Sequence, residues 1–364
     1  MTIAPAISRV RVNAFRFPTD APEADGTIAW DATTMVLVEI EAGGQHGLGY
    51  SYAAAAAAEV ADEVLAKVII GQDAFAVPKL WTAMVRAVRN IGWRGISACA
   101  ISAVDVALWD LKARLLDLPL AALFGVEREQ VPIYGSGGFT SYSDDRLCRQ
   151  LSDWVERDGC HFVKMKIGSD PEHDLKRVSA ARNAIGDAAL FVDANGALSR
   201  KQALFFAQRF DELDVSWFEE PVSSDDLDGL RFMRDHAPAG IEIAAGEYGY
   251  EPFYFRRMLE AGAVDVLQAD ATRCGGYTGF LRAAALADAF AVPLSAHTAP
   301  ALHLPVCCAA PRLRHIEWFH DHVRIERQVF EGAPVPDNGV IAPALDRPGH
   351  GLVFRQQDAE RLVA

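Results

Sequence analysis

The chain has 364 residues, 51% hydrophobic and 23% charged, with 49 acidic against 35 basic side chains and a formal net charge of -14. That length exceeds one small core and suits a barrel-sized domain with a smaller partner. The acidic balance argues against a phosphate backbone or an anionic membrane surface, so no nucleic acid and no membrane is expected as partner, and a small anionic substrate would need a locally positive site.

No apolar run is long enough to span a bilayer; the alanines of 53–58 run into Glu59, Asp62 and Glu63 and read as helix. Residues 1–6 lack the basic region and apolar core of an export signal, which predicts a cytoplasmic location. The six cysteines include no Cys-x-x-Cys pair and read as reduced core residues.

In chain order, residues 7–17 and 34–41 alternate apolar and polar side chains, as antiparallel strands do. Helical spacing follows over 53–70, 78–89 and 95–116, the second opening on a proline. Loops at 18–31 and 47–53 carry Trp30, Tyr50 and Tyr52, candidates to cover a pocket. Near Gly125 the pattern changes to short apolar strands alternating with helices: 131–134, 162–167, 189–193, 215–218, 241–245, 264–268, 292–295 and 313–316. Eight such units predict a closed parallel barrel. The Gly275-Gly276-Tyr277-Thr278-Gly279 run comes too late for a dinucleotide fingerprint and reads as a plain loop after a strand. A proline-rich tail is expected to return to the first domain. The expected organisation is a capping domain over 1–125, a barrel over 126–330, and a C-terminal segment over 331–364.

Ionisable residues finish the later strands: Lys164 and Lys166, then Asp193, Glu219, Glu247, Asp270, His297 and Glu317, at intervals of roughly 20 to 28 residues. In a parallel barrel these ends meet at one face. Asp193, Glu219 and Glu247 on consecutive strands would repel one another unless a hard cation neutralised them, and all-oxygen ligation fits Mg²⁺. Asn195 shares a face with Asp193 and is a candidate substrate contact, whereas Glu220 points away from Glu219. Lys164 and Lys166 share a face, and mutual repulsion is expected to lower their pKa values and make a usable base. Asp270 and His297 form a carboxylate–imidazole pair suited to proton transfer. His315, His320 and His322 read as structural, the last two in a loop.

Together, Lys164-Met165-Lys166, Val192-Asp193-Ala194-Asn195, Trp217-Phe218-Glu219-Glu220-Pro221, Ala245-Gly246-Glu247, Asp270 with Arg273-Cys274-Gly275-Gly276, His297 and Glu317 resemble the enolase superfamily, mandelate racemase subgroup. The helical run from Ala100 to Lys112 is similar to that family's signature, and the likeness covers nearly the whole chain. The resemblance implies an α/β fold: a modified TIM barrel, (β/α)7β, under an N-terminal α+β capping domain completed by the C-terminal tail. It implies Mg²⁺ on Asp193, Glu219 and Glu247; the pairing of a Lys or His base with Mg²⁺ is itself a known pattern of this superfamily. It further implies Lys166 as base on one face of the substrate, His297 oriented by Asp270 as acid or base on the other, cationic Lys164 at the substrate carboxylate, and a protonated Glu317 donating to it. The implied chemistry removes the α-proton of a carboxylate through an enediolate. Dehydration of an acid sugar to a 2-keto-3-deoxy acid is the favoured outcome; racemisation or epimerisation of a 2-hydroxy acid, and a silent metal-binding barrel, are the alternatives. Tyr134, Ser136, Trp30 and Tyr50 are expected to read the substrate, and a homo-oligomer is expected.

Overall fold

A computed structural model describes residues 5–364; residues 1–4, part of the segment read for an export signal, lie outside the described residues. The chain opens with an antiparallel sheet of β1 (Ile7–Ala24), β2 (Ala29–Ala42) and β3 (Gln45–Tyr52). Of residues 18–31, expected as a loop, 18–24 and 29–31 instead prolong β1 and β2 on either side of a turn at 25–28, with the pairing register slipping between Pro18 and Glu23. Residues 47–52, also expected as loop, belong to β3. Gly47 and Gly49 are there for close approach: a Cβ on either would lie 2.2 Å from a carbonyl oxygen, of Ala107 or Ala103, in helix Ile96–Leu115.

The segment expected as helix over 53–70 begins at Ala56 and contains a π-helical stretch, Ala61–Leu65. Helix Val77–Ala87 follows, then Ile96–Leu115, which packs most heavily on the sheet. Its signature residues form a docking face at helical spacing. Ser102 Oγ accepts from the Gly275 and Gly276 amides at 2.9 and 3.1 Å. Asp105 accepts from Thr278 N at 2.9 Å and Thr278 Oγ1 at 2.7 Å, and Trp109 Nε1 donates to Thr278 Oγ1 at 2.9 Å. The glycine run expected as a plain loop therefore opens helix Gly276–Ala289, whose free amides are capped by the other domain.

The second unit is a closed parallel barrel of β4 (Val131–Gly137), β5 (Phe162–Lys166), β6 (Ala189–Asp193), β7 (Val215–Glu219), β8 (Glu242–Ala245), β9 (Val266–Ala269), β10 (Leu294–Ala296) and β11 (Leu313–Phe319), sealed by pairing of β11 with β4. Tyr134, Phe191, Trp217, Ala244 and Val266 fill its interior, with His315 against their rings. The histidines expected in a loop, His320 and His322, open helix His320–Val329. Beyond it lie β12 (Phe330–Glu331), β13 (Val340–Ile341) and β14 (Val353–Phe354). The tail contacts both units: β13 pairs with β4, while Asp110 accepts from His350 N at 2.8 Å and Ala364 N donates to Ala14 O at 2.9 Å. No helix among the described residues is long and apolar enough to cross a membrane.

Candidate active site

Register builds the site. Lys166, Asp193 and Glu219 are direct partners along the β5–β6–β7 ladder, so three strand ends present their side chains in one row. Glu247 joins from just beyond β8. Gly246 lets the chain turn there, with φ 140° and no room for a Cβ, which would meet Gln268 O at 2.0 Å. Asp193, Glu219 and Glu247 are all buried, and one oxygen from each lies within 4.8 Å of the others.

Lys164 Nζ lies 2.6 Å from Glu219 Oε1, 2.9 Å from Glu317 Oε1 and 3.5 Å from Asp193 Oδ2, and Lys166 Nζ pairs with Asp193. These contacts correct the expectation of depressed lysine pKa values. Burial and mutual repulsion do act in that direction, but Glu219 and Glu317 hold Lys164 well above the ordinary ammonium range, and Asp193 raises Lys166. The carboxylates are unequally placed. Burial, then Asp193, pushes Glu219 up to about 8, whereas the lysines outweigh burial at Asp193, and His297 and Arg273 outweigh it at Glu247. The protein's own cations thus leave one of the three short of charge compensation. Glu247 Oε2 is buried without a hydrogen bond, His297 Nε2 standing 3.4 Å away outside hydrogen-bond geometry. A hard divalent cation resolves both conditions, so the donor set fits Mg²⁺.

Across the mouth, His297 Nδ1 and Asp270 Oδ2 are 2.8 Å apart. Burial opposes charge on this imidazole, but Glu247, Glu317 and the Asp270 hydrogen bond raise its pKa. Asp270 is held below its ordinary value by the same hydrogen bond and the His297 charge, against burial. Its second oxygen accepts from Thr272 N at 2.7 Å, fixing the carboxylate. Glu317 departs from expectation. Lys164 and His297 outweigh burial and lower its pKa, so it is an ionised acceptor, taking Ser136 Oγ at 2.5 Å and Thr298 N at 3.0 Å. Non-glycine residues with positive φ gather here: Asn195 at 46°, Glu220 at 38°, Thr298 at 55° and Ala299 at 40°. Strain of this kind concentrates at sites that need sharp turns out of rigid strands.

A cleft of about 430 Å³ lies between the two units. Lys166, Asn195, Glu247, Arg273, His297 and Glu317 line its barrel side, and Asp25, Ile28, Trp30, Thr33 and Tyr52 its capping side. A larger cleft of about 520 Å³ shares Asn195 and Tyr248 and reaches Glu220, but neither Lys166 nor His297 faces it. Asn195 is at the mouth, past the end of β6 rather than on its face, its amide donating to Asp193 Oδ1 at 2.8 Å. Among the residues expected to read the substrate, Trp30 lines the cleft. Tyr134 does not: it is buried in the barrel interior below Lys164, whose Nζ lies 5.4 Å from its ring centroid. Ser136 is buried behind Glu317, and Tyr50 is buried against Glu326. Strand alternation sends these three inward, a distinction invisible without the exact register. Sequence reasoning missed His322, which lines the cleft, stacks on Tyr52 at 3.5 Å between centroids and accepts from Ala299 N at 3.2 Å through Nδ1. It also missed Arg273 as a cleft residue, 3.2 Å from Glu247 and 3.5 Å from Asp270; its place three residues after Asp270 was the available signal.

A parallel barrel with acids on successive strand ends, two lysines on one strand and a carboxylate–histidine pair opposite defines a class built for proton removal beside a bound cation. Residues 10–125 match the mandelate racemase / muconate lactonizing enzyme N-terminal domain and residues 146–359 the enolase C-terminal domain-like family, and the chain belongs to this family, the mandelate racemase subgroup of the enolase superfamily. It is 35% identical, over 98% of both chains, to 3,6-anhydro-alpha-L-galactonate cycloisomerase of Streptomyces coelicolor. A mandelate racemase/muconate lactonizing enzyme-like protein from Rubrobacter xylanophilus superposes with TM-score 0.97 at 49% identity, over 99% of this chain and 100% of that one. L-Talarate dehydratase from Polaromonas sp. JS666, complexed with Mg and L-glucarate, superposes with TM-score 0.89 at 32% identity, over 99% and 98%.

Proposed function

We propose that the protein is a Mg²⁺-dependent enzyme that removes the α-proton of a sugar-acid carboxylate and expels the oxygen on the neighbouring carbon, dehydrating the substrate to a 2-keto-3-deoxy acid. The observation that carries this reading is that Lys166 and the Asp270–His297 pair face one cleft beside a buried three-carboxylate cluster. Asp193, Glu219 and Glu247 would hold the Mg²⁺, which would supply positive charge to stabilise a substrate carboxylate that takes up electron density.

The chain's residues supply the rest. Lys166 would be freed to its neutral form once the Asp193 charge that holds its proton is taken up by the cation, and it then accepts the α-proton at Nζ. The C–H electron pair passes to the substrate carboxylate as an enediolate and returns as the new carbon–carbon double bond when the neighbouring C–O bond breaks. Imidazolium His297, its Nδ1 held by Asp270, delivers a proton from Nε2 to the departing oxygen. The enol then loses its O–H proton and gains one on the carbon that lost the oxygen, which yields the keto acid. Lys164, buried between Glu219 and Glu317, is the fixed cation next to the carboxylate, and Glu317 orients Lys164 instead of donating. The cycloisomerase relative favours a second reading with the same residues. If the departing oxygen is part of a ring ether, the elimination opens the ring and no atom is lost.

The test is incubation with Mg²⁺ and a library of mono- and diacid sugars, their lactones and anhydro forms, in deuterated water. Apart from the solvent deuterium taken up on carbon, dehydration gives a keto product lighter by one water and ring opening a keto product of the substrate's own formula, whereas racemisation gives α-deuterium without a keto product. Absence of exchange and product across the library, with metal bound, overturns the proposal in favour of a silent barrel.

A further inference from the structure

We propose that Asp20, Glu23 and His320 form a second divalent-cation site, which ties the far end of β1 to the start of helix His320–Val329 and takes a borderline ion such as Zn²⁺. This inference rests on none of the barrel-mouth chemistry. One ligand atom from each of the three residues lies within 4.8 Å of the other two. They come from the two units: Asp20 and Glu23 from the stretch where β1 and β2 lose register, His320 from the start of helix His320–Val329. An interrupted ladder lets neighbouring side chains be re-aimed toward one point.

Glu23 makes the cluster more than a group of surface acids. Its side chain is 0% exposed, yet Oε1 has no hydrogen-bond partner, while Oε2 accepts from Trp30 Nε1 at 2.8 Å. A buried carboxyl oxygen left unpaired is destabilising, and the carboxyl group that carries it stands beside the carboxylate of Asp20 and the ring of His320. The remaining polar contacts are compatible with an ion. His320 Nε2 is 3.1 Å from Asp20 Oδ2, and Arg146 donates to Asp20 Oδ1 at 3.1 Å. Buried Asp321, held by Thr33 and Arg324, adds negative charge nearby. One imidazole and two carboxylates suit Zn²⁺, whereas the all-oxygen cluster at the mouth suits Mg²⁺. Through Glu23 the ion would brace Trp30, which lines the cleft.

The experiment uses the full chain carrying Asp193→Asn and Glu219→Gln, which disables the mouth cluster, dialysed against Zn²⁺ and assayed for bound metal, with circular dichroism confirming the fold. One Zn²⁺ per chain is expected. It should be lost on adding His320→Ala, whose side chain is partly exposed, or the isosteric Glu23→Gln. Zn²⁺ should also change a tryptophan fluorescence signal that is absent when Trp30→Phe is added. A folded Asp193→Asn, Glu219→Gln chain that retains no Zn²⁺, or retention undiminished by both His320→Ala and Glu23→Gln, overturns the proposal.

Discussion

Lys166, Asp193 and Glu219 are neighbours in one ladder register, whereas Trp30, Asp25 and Ile28, on the opposite wall of the same cleft, stand on a hairpin whose pairing slips between Pro18 and Glu23. The mouth residues are buried and linked by ion pairs, Lys164 joining Asp193, Glu219 and Glu317 and Lys166 joining Asp193. The hairpin's turn is shaped by local contacts, Asp25 Oδ1 accepting from Thr27 N and Ile28 N, and it meets the barrel through neutral ones, Thr140 Oγ1 donating to Asp25 O at 2.8 Å and Trp30 leaning edge-on to Phe139. A rigid wall suits proton transfer, which tolerates little misplacement, and a locally determined wall can change its side chains without disturbing the barrel. Rate should therefore be lost at the mouth and selectivity at the hairpin.

The largest effect should come from the two proton-transfer positions. Lys166→Ala and His297→Asn should each lower turnover by roughly 10²–10⁴-fold, the range of general acid–base catalysis. The two should nevertheless differ. His297→Asn retains Lys166, so α-deuterium exchange should persist while elimination fails; Lys166→Ala should lose both. Full elimination by His297→Asn would remove the role assigned to that residue. Next in size is the metal. Glu247→Gln should weaken Mg²⁺ binding by more than the ~10–100-fold that changes outside a ligand shell produce, measured by calorimetry; unchanged affinity takes Glu247 out of the ligand set.

The same contrast governs what could be read from sequence. Strand ends recur at regular spacing and carry distinctive residue types, so Lys166, Asp193, Glu219, Asp270 and His297 converge as their positions in the repeat imply. The hairpin has no such period. Its extended residues alternate poorly because one stretch is out of register, and residues 18–31 therefore resemble a loop. Tyr134 and Ser136 sit on a true barrel strand but face inward, and only the exact pairing of Tyr134 with Glu317 and Ser136 with Phe319 places them beneath the mouth. Charge states were the least legible feature. The two lysines are visible in sequence, but the carboxylates that keep them protonated arrive from β6, β7 and β11.

If selection belongs to the hairpin, Trp30→Ala should raise KM and alter the ranking of acid sugars while kcat changes less than about 10-fold, an effect of the size expected from lost pocket contacts. A kcat loss approaching that of Lys166→Ala would place Trp30 with the rigid wall and break the comparison.

The smallest effect on rate should come from Glu326, which joins the two units away from the cleft. Tyr50 on β3 donates to its Oε1 at 2.7 Å and Ala301 N to its Oε2 at 3.0 Å. Burial, opposed by those two hydrogen bonds, pushes the carboxyl from 4.5 up to about 8. Between these values the folded chain keeps a proton that the unfolded chain has released. This residue's contribution therefore lowers stability as pH rises from about 4.5 to about 8, and changes little above that. Glu326→Gln has no proton to hold or release and keeps the shape of the contact. Its Tm should match the parent near the acid end of that window and exceed it increasingly toward the alkaline end. The limit is about 1.4 kcal/mol for each pH unit of the window. Parallel Tm curves for the two chains would show that Glu326 keeps an ordinary carboxylate pKa in the folded chain, so that the Tyr50–Glu326 junction holds a charge where burial should have removed it.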